Sequence, residues 1–135
     1  MKDVGDMNAK AGAAYMDAFK SEPDVITTNS GLAYKVLTQG AGATPKATDK
    51  VKVHYTGSLV DGKVFDSSVQ RGTPFESPVM GVISGLSEAL KLMKVGEKIK
   101  LVVPPDLAYG DRGCAEKIGP NCTLVFEVEL LDIVE

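Results

Sequence analysis

Tyr55, Phe65, Asp66, Ile83, Tyr109 and Phe126 are the residues with the most chemistry to account for. They come from separated segments and combine one carboxylate and two phenols with apolar surface, without a nucleophile. Asp61-Gly62 between β-compatible runs is a strong hairpin signal. If Tyr55 and Asp66 meet across that hairpin, a carboxylate and a phenol sit at the edge of an apolar hollow. Core packing is enough to explain Phe126 and Val53. It explains less of Asp66 beside Phe65, or of Tyr109 in the run PPDLAYGDRG, because a buried carboxylate or phenol needs a partner.

Other chemistries find little support. The single histidine, His54, is placed opposite Tyr55 by strand alternation and is expected to face solvent. There is no GxSxG elbow and no histidine in metal-ligand spacing, so neither a nucleophile nor a metal site is expected. The GxG in GAGATPKATDK lacks a third glycine and a following helix start, which argues for a plain loop over a phosphate loop. No cofactor is implied. The net charge of −3 gives no electrostatic footprint for nucleic acid. No apolar run approaches the ~18 residues of a membrane span. Met1–Lys20 lacks the apolar region of a secretory signal, leaving a cytoplasmic protein or a mature form without its signal.

The elements that must position these residues follow from periodicity. Asp6 to about Lys20 reads as a helix with a thin stripe of Met7, Ala11, Ala14, Tyr15, Ala18 and Phe19. Ser21-Glu22-Pro23-Asp24 ends it. Strands are expected at Leu32–Leu37, from Val51 into the hairpin, at Lys63–Ser67, at Lys98–Val103 and at Thr123–Glu135. A short helix, roughly Ser84–Met93, presents Leu86, Ala89, Leu90 and Met93. Val69–Met80 and Pro104–Asn121 read as irregular. With 135 residues, 44% hydrophobic and 24% charged, the chain can bury one real core. The fold class is therefore α+β: an antiparallel five-stranded sheet wrapped over one short helix, preceded by an N-terminal helix.

The runs VKVHYTGSLVDGKVFDSS, VISGLSEALKLMKVGEK, LVVPPDLAYGDRG and GPNCTLVFEVELLDI resemble the FKBP-type peptidyl-prolyl cis–trans isomerases, in register over about Ser30 to Glu135. The upstream piece resembles the stalk-to-domain junction of the bacterial macrophage infectivity potentiator (Mip) branch. The resemblance implies residues 1–29 as helix stub and linker and 30–135 as the isomerase domain. It implies catalytic positions at Tyr55, Phe65, Asp66, Ile83, Tyr109 and Phe126, and substrate-binding positions at Phe75, Val82, Leu86 and Ile118. In the family, the backbone N–H at the Ile83 position and the hydroxyl at the Tyr109 position bind ligand carbonyl oxygens. The implied partners are proline-containing polypeptides and, weakly, the macrolides tacrolimus and rapamycin. The expected state is a monomer or a weak homodimer through the N-terminal helix.

Three positions depart from the family pattern. The aromatic floor of the pocket is Leu86, the usual phenylalanine slot holds Ser77 with Phe75 two places early, and a position often histidine is Cys114. The first two predict a shallower, less aromatic pocket. Cys114 and Cys122 share the long loop, and a disulfide is expected over two free thiols. It would brace the segment carrying Ile118, contribute about 2.5 kcal/mol, and place the protein in an oxidising compartment such as the periplasm, with the cytoplasm as alternative.

Overall fold

An inward-facing alternation, Val51, Val53, Tyr55 and Gly57, becomes the hub of the sheet: strand β3, Lys50–Leu59. In the computed structural model of the chain, residues 4–110 and 121–134 are described. Along one edge β3 pairs with β7 (Leu124–Val134). Its other edge is shared by β4 (Val64–Ser67) near one end and β5 (Phe75–Pro78) near the other. Beyond β7 lie β6 (Lys98–Val103), β2 (Ala33–Thr38) and β1 (Val25–Thr27), all antiparallel. The five expected strands are present, and β1 and β5 add two short ones. The segment Val69–Met80 is more ordered than its prolines suggest. It begins with the last residues of α2 (Ser68–Arg71), runs through β5 and enters a 3₁₀ turn at Val79–Gly81.

The core lies between the sheet and α3, Ser84–Leu90. Leu86, Ala89 and Leu90 of the helix and Met93 beyond it meet Val51, Val53, Ile99, Leu101, Leu124, Val128 and Leu130, all buried. Each such aliphatic side chain contributes about 1.5–3 kcal/mol on leaving water. Leu86 and Tyr55 belong to this cluster and also line the cavity described below.

The opposite sheet face receives α1, Val4–Lys20. Its buried side differs from the expected stripe. Gly12, Met16 and Phe19 are buried and Asn8 and Tyr15 half-buried, whereas Met7, Ala11, Ala14 and Ala18 are exposed. Burial free energy scales with apolar area, so the helix turns Met16 and Phe19 to the sheet and leaves the alanines outside. Met16 and Phe19 pack with Ala33 of β2 and Val102 of β6. Lys100 Nζ lies 5.6 Å from the Tyr15 ring centre and 5.4 Å from that of Phe19, a cation held by two aromatic faces. No helix among the described residues is long and apolar enough to cross a membrane.

Gly12 sits where α1 comes closest to the start of β7. A Cβ built on it would fall 2.1 Å from Thr123 Oγ1 and 2.7 Å from Thr123 Cβ. In an open helix, glycine to alanine gains up to about 1 kcal/mol. Here Gly12→Ala is expected to reverse the sign and cost about 1–3 kcal/mol through overpacking. Urea unfolding measures the loss, and hydrogen exchange should show faster opening of the α1 amides. A variant as stable as wild type would mean that the helix sits further from Thr123.

Candidate active site

A cavity of about 610 Å³ opens between β4, β5, the Val79–Gly81 turn, α3 and the turn preceding Tyr109. It brings together Tyr55, Phe65, Asp66, Phe75, Val82, Ile83, Leu86, Tyr109 and Phe126, with Gly81 and Ala108 as further lining residues. Ile118 and Cys114 lie outside the described residues, and with them the proposed Cys114–Cys122 pairing.

Strict alternation would send Phe65 and Asp66 to opposite faces of the sheet. The pairing slips instead: Gly57 opposes Asp66 and Ser58 opposes Val64, leaving Phe65 as an extra, bulged residue. Both side chains therefore reach the cavity. The bulge requires Gly57, because a Cβ there would lie 2.6 Å from Phe65 Cζ and 2.8 Å from Phe126 Cε1. The freed space lets Phe65 meet Phe126 edge to face, with centroids 5.8 Å apart and planes at 88°. Tyr55 makes a similar contact with Phe75 at 5.6 Å and 79°. Phe75 thus supplies an aromatic wall despite its early place in the chain. Ser77 in the usual slot is buried and pairs with Val51 of β3. The expected loss of aromatic surface is therefore confined to Leu86, which is buried at the base of α3 and lines the cavity.

Asp66 finds its partners at the rim. Tyr55 donates its hydroxyl to Asp66 Oδ2 at 2.5 Å, and Arg71 Nη1 forms an ion pair with Asp66 Oδ1. Arg71 Nη2 also donates to Tyr55 Oη at 3.3 Å. Burial pushes the Asp66 carboxyl up, but the hydrogen bonds from Tyr55 and Arg71 and the Arg71 charge outweigh it. The net effect holds Asp66 below the ordinary carboxylate value. The Tyr55 phenol is pushed up, first by burial and then by its bond to Asp66. The rim therefore carries a carboxylate that is ionised at neutral pH, and the interior is apolar.

Arg71 was missed in the sequence, although a signal exists. Ser67 caps α2, its side chain accepting from the Gln70 N–H at 3.2 Å, and Gly72 ends the helix at φ 75°. A capped turn of this kind, five residues after a candidate carboxylate, delivers its last basic side chain back to that carboxylate. His54 is on the sheet face opposite Tyr55, as alternation requires, but it is half-buried and not simply solvent-facing. Its Nδ1 lies 2.9 Å from Ser68 Oγ, and that hydroxyl also accepts the Tyr55 N–H at 2.8 Å. The α2 turn folds over this end of β3 and covers the imidazole. Tyr109 is 37% exposed at the cavity mouth, so its phenol borders water and is not a core group. Ile83 caps α3, its carbonyl accepting the Ser87 N–H at 2.9 Å, and among the described residues its own N–H meets no acceptor.

The family model described as FKBP-type peptidyl-prolyl cis-trans isomerase matches residues 42–131, and the model for the domain amino-terminal to such isomerases matches residues 1–36. The chain is 55% identical over 126 residues to the FKBP-type 22 kDa peptidyl-prolyl cis-trans isomerase of Escherichia coli, covering 93% of this chain and 61% of that protein. It is 46% identical over 126 residues to the peptidyl-prolyl cis-trans isomerase Mip of Coxiella burnetii, covering 93% of this chain and 55% of that one. The crystal structure of FkpA from Escherichia coli superimposes with a TM-score of 0.92 at 49% identity, over 96% of this chain and 60% of that one. The chain thus spans little more than half the length of these relatives.

The rim cluster predicts a pH dependence. A carboxyl lowered on folding stabilises the folded state above its ordinary value of 3.8, and this contribution is lost as pH falls through the lower folded value. Asp66→Asn is expected to lose about 1 kcal/mol at neutral pH, a modest figure because the side chain is part exposed. The gap between wild type and variant should close below about pH 4. Urea titrations of both proteins from pH 7 downward test this, and a gap independent of pH would count against an ionised Asp66.

Proposed function

The chain belongs to the FKBP-type peptidyl-prolyl cis–trans isomerases, and on that premise we propose that its cavity catalyses rotation about Xaa-Pro bonds in polypeptide clients. The observation that carries the reading is the pairing of an apolar, aromatic cavity of about 610 Å³ with a fixed carboxylate and a phenol at its rim. Such a site has little to offer a bond-breaking reaction and suits a bond rotation. The Xaa-Pro bond resists rotation by roughly 18–20 kcal/mol because twisting breaks amide resonance. The twisted amide has a less polar carbonyl and a more basic nitrogen, so an apolar cavity favours it over the resonance-polarised ground state. Each ~1.4 kcal/mol of that preference is about tenfold in rate. In this mechanism Phe65, Phe75, Phe126, Val82 and Leu86 hold the proline and exclude water. The Ile83 N–H and the Tyr109 hydroxyl fix client carbonyls, and Asp66 borders the rotating amide. No cofactor takes part.

We assign residues 30–135 as the isomerase unit and 1–29 as its helix and linker. For the cellular setting, we propose an oxidising compartment and a Cys114–Cys122 bond, with the cytoplasm as the alternative. Alkylation mass analysis before and after reduction tests the bond. A second reading, a binding module with little turnover, draws on Leu86 in place of the aromatic floor.

Catalytic amounts of protein are expected to accelerate cis–trans exchange of a short Xaa-Pro peptide, most with an apolar residue before proline. Tyr109→Phe should slow it by about two- to tenfold, the scale of one hydrogen bond. Asp66→Val and Phe65→Ala should do more damage. Exchange spectroscopy decides, and wild type at the uncatalysed rate would leave the binding module. Leu86→Trp should tighten rapamycin binding by about 1–2 kcal/mol. Calorimetry measures the gain, and a folded variant that binds no tighter would remove Leu86 from the floor.

A further inference from the structure

Among the described residues Met80 is the most exposed of the large apolar side chains, at 68%, and it stands next to fully buried Val79 at the cavity's edge. Beside it runs a groove of about 390 Å³ lined by Met80, Val82, Ser84, Ser87, Glu88 and Lys91. Val82 is a wall of both groove and cavity. The step between the two hollows is therefore one side chain wide. An extended polypeptide, advancing about 3.3–3.6 Å per residue, crosses it in two or three residues.

The charges of the groove are unevenly committed. Glu88 accepts a hydrogen bond from Ser30 Oγ at 2.6 Å, whereas Lys91 has no ion-pair partner among the described residues. A flexible thioether makes an adaptable apolar contact, and the groove's border carries one carboxylate, Glu88, occupied by Ser30, and one ammonium, Lys91, open to a client carboxylate.

We propose that this groove is a client subsite continuous with the cavity, in which Met80 receives an apolar side chain two or three residues from the client's proline. The occupant is the same polypeptide whose proline fills the cavity, because the shared Val82 wall makes the two hollows one track. Lys91 makes an acidic residue next to that apolar side chain more favourable than a basic one. Met80 and Lys91 are thus specificity-determining residues outside the cavity. The inference rests on the isomerase reading, and its test separates the two.

The experiment compares three proline peptides of the same core: a tetrapeptide, and two versions extended by four residues on one side or the other, each with a leucine three positions from proline. KM comes from exchange kinetics and Kd from chemical-shift titration, for wild type, Met80→Glu, Met80→Leu and Lys91→Glu. With one of the extensions, wild type should bind more tightly than to the tetrapeptide. Met80→Glu should raise the ratio of long-peptide to short-peptide KM about fivefold, the worth of one apolar contact. Met80→Leu should keep the wild-type ratio. Lys91→Glu should invert the preference between aspartate and lysine placed beside the leucine. A ratio unmoved by Met80→Glu, or no gain from either extension, overturns the subsite. If no peptide exchanges faster with wild type, the isomerase reading fails, and the Kd ratios still decide whether the groove binds the extension.

Discussion

Two neighbouring residues on a regular strand face opposite sides of a sheet, so Phe65 and Asp66 can share a cavity only where the pairing slips. The slip opposite Gly57 is the constraint from which the site's other features follow. It spends one residue of β4 outside the ladder, and it demands a position on β3 with no side chain, because Phe65 and Phe126 occupy that space. With the slip in place, one face of the hairpin holds an aromatic ring and a carboxylate side by side. β3 must then be long enough to pair with β7 throughout while sharing its other edge between β4 and β5, and the cavity opens where those two strands part.

A carboxylate at the mouth of an apolar cavity could be kept neutral or kept charged. Desolvation favours the neutral form, and here it loses to two hydrogen bonds and a guanidinium. Asp66 is thereby an anchored negative charge and no reservoir of protons. Under the proposed function, the pocket would offer a rotating amide shape, dryness and fixed dipoles. That division places the polar demands on the rim, where water can share them, and leaves the floor to Leu86 and the rings.

The long strands were legible because their period of two extends over enough residues to be unmistakable, as in Val51, Val53 and Tyr55 against Lys52, His54 and Thr56. β1 and β5 escaped notice because three or four residues carry too little periodicity, and β5 ends on a proline. The side of α1 that is buried was misjudged by weighting alanines equally with Met16 and Phe19. At the site, the residues that meet were recognisable through the hairpin and the family resemblance, but the bulge that lets them meet left no periodic trace. Arg71 was passed over because α2 is a single turn whose only marks are its caps. Pairings that depend on tertiary approach, such as His54 with Ser68, have no local pattern to read.

Lys100 clasped between Tyr15 and Phe19, and Gly12 pressed on Thr123, also have a mechanical meaning. The helix is fastened at two places along its length, and after the turn at Ser21–Asp24 the chain enters the sheet as β1. The second fastening lies on Thr123, at the entry to β7, and three positions later that strand carries Phe126 into the cavity. The helix is seated on the sheet and is not merely tethered to it.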